Sequence, residues 1–295
     1  MSTAGAIITK SKRHLLGGIT EERNKLQTTV TAGATDIVLT YDLAGFREGT
    51  VFEIDAELMY VWLAVTGTKT LTVERGYGGT TAAAHTAGAI ATLAPRFPRQ
   101  QSLDALNDEL NDLSSPSNGL YAVVETSLTG YNGSDRMLNL TSATNVIDLI
   151  EVRHRELATD FIPQRNYYLQ RQLPTADFAS SFAITFNTLP PSGTLRVVYS
   201  KSFTNVTLEA DDMQTVALLP ATCEDIVELG VAIRLMAGRE IKRTFPETQG
   251  ETRRTDEIPS GSTNQSASAL RALRRDRIMA EATRLLQRYP RTIRR

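Results

Sequence analysis

Between Thr222 and Arg243 the chain carries a helical pattern that is apolar on nearly two sides. Ile226, Leu229, Ile233, Met236 and Ala237 recur at the three- and four-residue spacing of one helix face, and Val227, Val231 and Leu235 form a second row beside it. A helix on a protein surface needs one such stripe; two call for enclosure. Thr222 is placed to cap the free N–H groups, and Asp225 suits the positive end of the dipole, so the helix is expected to run from here to about Arg243. The simplest outcome is a helix buried inside its own domain.

Beyond it the periodicity stops. Residues Thr244 to Gln265 are polar and rich in Thr, Ser, Gly and Pro, the mark of a long exposed loop that compact domains rarely keep without a use. A last helix is expected over roughly Ser266 to Arg288, with Leu270, Leu273, Ile278, Ala282, Leu285 and Tyr289 as its apolar side. Its charge is Arg271, Arg274, Arg275, Arg277, Arg284 and Arg288, continued by Arg291, Arg294 and Arg295, against only Asp276 and Glu281, in a chain of net charge −1. Two readings fit these residues. One is a docked terminal helix with solvated arginines. The other is an arm that reaches another protein or a phosphate surface through bidentate guanidinium contacts.

Upstream the period changes to two. Leu26–Val30, Asp36–Thr40, Val51–Ile54, Glu57–Trp62, Thr70–Val73 and Ala89–Leu93 read as short strands of a small antiparallel barrel or sandwich. Glu53, Asp55 and Glu57 alternate across a tight hairpin, which places all three on one solvated strand face and gives them no metal or catalytic role. A short helix over Ser102–Leu113 follows, with Leu103, Leu106, Leu110 and Leu113 as its stripe and Asp104, Asp108, Glu109 and Asp112 outside it. Strands return at Leu120–Glu125, Met137–Leu140, Val146–Val152, Asn166–Gln172, Ser181–Phe186 and Thr194–Tyr199, a second β-sandwich-like domain. Around Arg165 and Arg171, Tyr167, Tyr168 and Gln170 offer either a ligand-binding face or a solvated strand.

The expected class is α+β: two small antiparallel β-domains plus a C-terminal helical region with an extended arm. Boundaries fall at 1–20 (an N-terminal arm), 21–97 (barrel-like), 98–117 (linker helix), 118–216 (sandwich-like) and 217–295 (helical). Cys223 is the sole cysteine, so no internal disulfide framework is possible. No apolar run approaches a membrane span, and the N-terminus lacks the basic start and long apolar core of a signal peptide. His14, His85 and His154 are far apart with no metal-ligand spacing, and neither a nucleophile elbow nor a P-loop is present. No cofactor or enzymatic activity is expected. Near-neutral charge and the lack of a nucleic-acid-binding motif argue against DNA or RNA as the main partner.

Two stretches carry a family likeness. Arg75-Gly76-Tyr77-Gly78-Gly79-Thr80-Thr81-Ala82-Ala83-Ala84-His85-Thr86-Ala87-Gly88, after a strand, resembles a stretch common in small β-domains of tailed-bacteriophage virion proteins. The C-terminal part resembles the head-to-tail connector (adaptor or neck) proteins of long-tailed phages. It carries Val197-Val198-Tyr199, then Leu219-Pro220, then Asp225 to Leu235 and Gly238 to Arg243, and a final helix ending Arg288-Tyr289-Pro290. That resemblance implies a homo-oligomeric ring, commonly twelve-fold, between the portal protein and a downstream tail or neck protein. Genomic DNA would pass through the lumen without sequence-specific binding, and no membrane would be involved. It also implies that Ile226, Val227, Leu229, Val231, Ile233, Leu235 and Met236 pack against both the subunit's own core and its neighbour. Leu270, Leu273, Arg274, Arg277, Ile278, Arg284, Leu285, Arg288 and Tyr289 would dock on the portal, and truncation at Thr244 would leave a folded protein that no longer binds it. The alternative is a tail or baseplate protein whose β-domains bind host glycan or other tail proteins, with Trp62, Tyr167 and Tyr168 lining a groove.

Overall fold

Strands fill the first two thirds of the sequence and two long helices close it, giving an α+β protein. The computed structural model describes residues 2–16, 21–140, 145–155, 160–178, 180–243 and 262–289. The expected polar loop falls largely outside the described residues, as do the arginines after Tyr289. Two compact units form, each from three stretches of chain: Met1–Glu109 with Val206–Met213 and Glu224–Arg274, and Leu110–Asn205 with Gln214–Cys223 and Arg275–Arg295. The C-terminal helical region is thus shared between units rather than standing alone.

In the first unit, six short strands curl into an antiparallel half-barrel. They are β1 (Arg23–Lys25), β2 (Asp36–Val38), β3 (Val51–Ile54), β4 (Glu57–Val65), β5 (Thr70–Glu74) and β6 (Ile90–Leu93), in the order β1-β6-β3-β4-β5-β2. The outer strands nearly meet. Leu26 bridges Leu39, Gln27 N–H donates to the Val38 carbonyl at 2.8 Å, and Thr40 N–H donates to the Lys25 carbonyl at 2.8 Å. Inside lie Leu26, Ile37, Leu39, Phe52, Ile54, Met59, Val61 and Leu71.

The N-terminus is a helix, not an arm. α1 (Ala4–Leu16) has Thr3 at its cap, whose Oγ1 accepts from Ala6 N–H at 3.3 Å, and it buries Ala4, Ile7, Ile8 and Ser11. Those positions share one face, and the face is spent on α3 (Glu224–Arg243), where Ser11 Oγ reaches the Glu228 carbonyl at 3.0 Å. α1 is therefore part of the cover that the doubly apolar helix needs. The N-cap expected at Thr222 is displaced: a 3-10 turn over Ala221–Cys223 precedes α3, and the Thr222 hydroxyl donates to Glu281 at 3.2 Å. α2 (Arg99–Leu113) buries Leu103, Leu106, Leu110 and Leu113 as its spacing predicts. α4 (Ser262–Arg288) is the longest helix described.

The second unit packs two antiparallel sheets over one core. β7 (Ala122–Tyr131), β9 (Val146–Arg155), β10 (Ile162–Pro163) and β13 (Gly193–Lys201) are ordered β10-β9-β13-β7, while β8 (Met137–Asn139), β11 (Tyr167–Gln170) and β12 (Ala183–Phe186) are ordered β11-β12-β8. Val152, Leu195, Val197 and Tyr199 from the first sheet meet Tyr167, Ile184 and Phe186 from the second. Tyr167 is core rather than ligand face: it is buried, and its hydroxyl accepts from Val152 N–H at 3.0 Å. Tyr168, one residue on, points the other way and is exposed.

Candidate functional site

The hairpin carboxylates do not share a face. A two-residue turn, Asp55-Ala56, joins β3 to β4, so Ile54 pairs with Glu57 and Glu53 with Leu58. Residues opposite each other in a ladder point to the same side, hence Glu53 and Glu57 point to opposite sides of the sheet. Neither is solvated: Glu57 is 2% exposed and Glu53 3%. Only Asp55, at the turn with φ 52°, is open to solvent.

Glu57 lies on the barrel side, in line with Met59 and Val61, and the glycine-rich stretch wraps around it. Arg75 binds it bidentately, Nε to Oε1 at 2.7 Å and Nη2 to Oε2 at 2.8 Å. Gly76 and Ala83 N–H groups donate at 3.0 Å each, and His85 Nε2 approaches at 2.9 Å. Arg75 Nη1 goes on to the Thr31 and Ala34 carbonyls, both at 2.8 Å, and His85 Nδ1 to Asp55 at 2.8 Å. Gly76 has φ 63°, and a Cβ there would meet the Thr80 carbonyl, so the loop can turn back only with glycine. Arg75, Gly76, Ala83 and His85 of the stretch thus act together to enclose a carboxylate from the preceding hairpin. The residue types are legible in the sequence, but Glu57 and Arg75 are 18 residues apart and only the strand pairing joins them.

Both ring nitrogens of His85 face carboxylates, so the ring is an imidazolium with no lone pair for a metal. Burial lowers its pKa, but hydrogen bonds to Asp55 and Glu57 outweigh it and push the value up to about 9. Burial likewise raises Glu57, and its bonds from Arg75 and His85 hold it down at about 2. The His85 contribution to stability is complete below the ordinary imidazole pKa and is lost as pH rises through about 9. The Glu57 contribution is present above the ordinary carboxylate pKa and lost as pH falls through about 2. The His85 ring protons should therefore titrate near pH 9 by NMR, with unfolding stability falling over the same range; titration near 6.5 would contradict the doubly bonded imidazolium.

On the other side of the hairpin Glu53 accepts the Arg99 N–H at the start of α2 and lies 3.7 Å from Lys12 Nζ of α1. Arg99 also binds Glu209 through Nε, at 2.6 Å to Oε1. Burial pushes Glu53 up to about 7, with Lys12 and Arg99 opposing, and pulls Lys12 down. Glu53, Lys12 and Arg99 line a cavity of about 660 Å³ together with Thr9, Arg13, Glu21, Arg23 and Thr92. Charges of both signs are mixed there, and its buried members already hold one another. Among the described residues no group of three or more His, Cys, Asp and Glu is arranged to hold a metal.

Outside the barrel Tyr60 meets Trp62 edge-on at 5.0 Å and stacks on Tyr77 at 5.3 Å. Trp62 is 60% exposed, so the cluster is a surface feature. The groove expected from Trp62, Tyr167 and Tyr168 loses Tyr167, which is buried, while Trp62 and Tyr168 are exposed.

The residues expected at a ring interface are core. Ile226, Val227, Leu229, Val231, Ile233 and Leu235 are buried, and Met236 is half-buried, so α3 offers no apolar surface for a neighbour at the first six. The residues expected to dock a portal divide by helix face. Ile278 is buried and Leu270, Leu285 and Tyr289 half-buried, whereas Leu273, Arg284 and Arg288 are exposed. Arg277 donates to the Thr222 carbonyl at 3.0 Å and lies 3.5 Å from Glu281. Arg274 is engaged by α2: its Nε binds Glu109 Oε1 at 2.6 Å, and Arg234 of α3 binds the other oxygen at 3.1 Å. Glu109, expected among the solvated acids of α2, is 1% exposed. It reaches α3 where Gly230 leaves room, since a methyl there would overlap its carboxylate. No protein-family model matches the chain, and neither does any curated protein sequence. No described helix is long and apolar enough to cross a membrane.

Proposed function

We propose that the chain is a structural, non-enzymatic subunit of the head–tail junction of a tailed bacteriophage, forming a ring between the portal and the next tail protein and lining the passage for DNA. The observation that carries this reading is the two-sided character of α4. One side, from Ala267 through Arg274 and Ile278, is committed to its own chain. The other presents Arg271, Arg275, Met279 and Leu286 to solvent at helical spacing. A long helix with uncommitted arginine and apolar side chains is suited to a protein surface. Ring contacts in this reading come from surfaces other than the buried rows of α3.

Truncation at Thr244 is too blunt a test, because it removes Arg274 and Ile278 from the fold. The double substitution Met279→Asp and Leu286→Asp leaves the committed side intact. It should weaken binding to the isolated portal about tenfold or more while the unfolding midpoint is unchanged. Unchanged portal affinity would refute docking through α4. A second reading, a tail or baseplate protein that binds glycan, is favoured by the exposed Tyr60–Trp62–Tyr77 cluster. Antibody labelling of intact virions separates the two: label at the head–tail junction is expected, and label at the distal tip would replace the connector with the tail reading.

A further inference from the structure

Sheet edges invite pairing, and proteins blunt them by keeping them short, charged or proline-bearing. Five of the six edges among the described residues are treated in that way. β1, β2 and β8 have three residues each, β11 has four, and β10 has two and ends in Pro163. β1 adds Arg23 and Lys25, and the β1 and β2 edges are drawn together by the Leu26–Leu39 bridge. The sixth edge is β7, ten residues long, with no proline and no lysine. Its single charge, Glu125, is held by Arg196 on the adjoining strand. Among the described residues no strand pairs with its outer side, and positions 123–130 are half-buried or exposed.

We propose that β7 is a homotypic docking edge, joining two copies of this chain by antiparallel β7–β7 pairing centred on Thr126. The side chains of β7 are compatible with a second copy of the same strand in this register. Val124, Thr126 and Leu128 share the face that packs toward the core, while Glu125, Ser127 and Thr129 face solvent. With a two-fold axis at Thr126, Val124 lies opposite Leu128 of the second copy, Thr126 opposite Thr126, and Glu125 opposite Ser127. Core-side residues then meet core-side residues, and like charges do not face one another. Residues 124–128, which precede the irregularity between Leu128 and Tyr131, face their counterparts, the outward N–H and C=O groups of alternate residues are bonded, and the four-stranded sheets of two chains become one. The contact stands on this edge alone and does not depend on the connector reading; being two-fold, it joins chains in pairs and is distinct from the head-to-tail contacts that would close a ring.

Cysteine cross-linking of the full chain tests both the contact and its register. Cys223, the sole native cysteine, is buried. Opposed Cα atoms in an antiparallel pair lie roughly 4.5–5.5 Å apart, within disulfide reach. Thr126→Cys should therefore give a reducible dimer under mild oxidation. Thr129→Cys places its two thiols roughly 20 Å apart in this register, six residues out of line, and should give at least about tenfold less. No dimer from Thr126→Cys would overturn the proposal, and equal cross-linking at both positions would overturn the register it rests on. A partner strand from a different protein would also leave Thr126→Cys without a homodimer.

Discussion

Glu57→Ala is expected to cost about 3–5 kcal/mol of unfolding free energy, the range for breaking a buried ion pair from one side. The loss comes less from the missing carboxylate than from what it leaves behind. Arg75 and His85 keep their charges with side chains 7% and 1% exposed, and the Gly76 and Ala83 N–H groups lose their acceptor. Glu57→Gln keeps an acceptor but not the charge, and should fall between wild type and alanine. Chemical denaturation checks both. A loss below about 1 kcal/mol for the alanine variant would show that the loop holds its shape without the carboxylate.

Gly230→Ala is expected to destabilise by about 2 kcal/mol, against the usual sign for that exchange in a helix. Alanine inside a helix is ordinarily worth about 1 kcal/mol over glycine. Here the added methyl would collide with the Glu109 carboxylate, which cannot swing aside without leaving Arg234 and Arg274. The sign can be isolated in a double-mutant cycle. In a Glu109→Ala background the obstacle is gone, and Gly230→Ala should then stabilise by the ordinary helical increment. If it destabilises equally in both backgrounds, the close approach of α2 is not the cause.

How far the fold can be read in advance follows from how local its determinants are. β3 lies where the alternation of Val51–Ile54 places it, and α3 ends at Arg243 as its apolar rows indicate, because a repeating pattern constrains a whole element. Parity misplaces the carboxylates: period two holds along a strand, but a two-residue turn resets which residues share a side. α1 reads as an arm although Ala4, Ile7 and Ile8 have helical spacing, because its partner lies at the far end of the sequence. Glu109 falls outside the leucine stripe of α2 and so reads as solvated. Its burial depends on two arginines and one glycine from other helices, which no local pattern encodes. The half of α4 that faces inward is legible from Leu270, Ile278 and Leu285, while Leu273 of the same expected stripe is exposed.

The seating of α1 on α3 has a consequence for biogenesis. Ser11 and the Glu228 carbonyl it meets are 217 residues apart in the chain. At ribosomal speeds the nascent helix waits roughly 10–40 s for the segment that covers Ile7 and Ile8. During that interval an apolar stripe stands exposed beside a barrel that has already emerged. α1 is thus made long before its partner, and the first unit closes only after α3 has been translated.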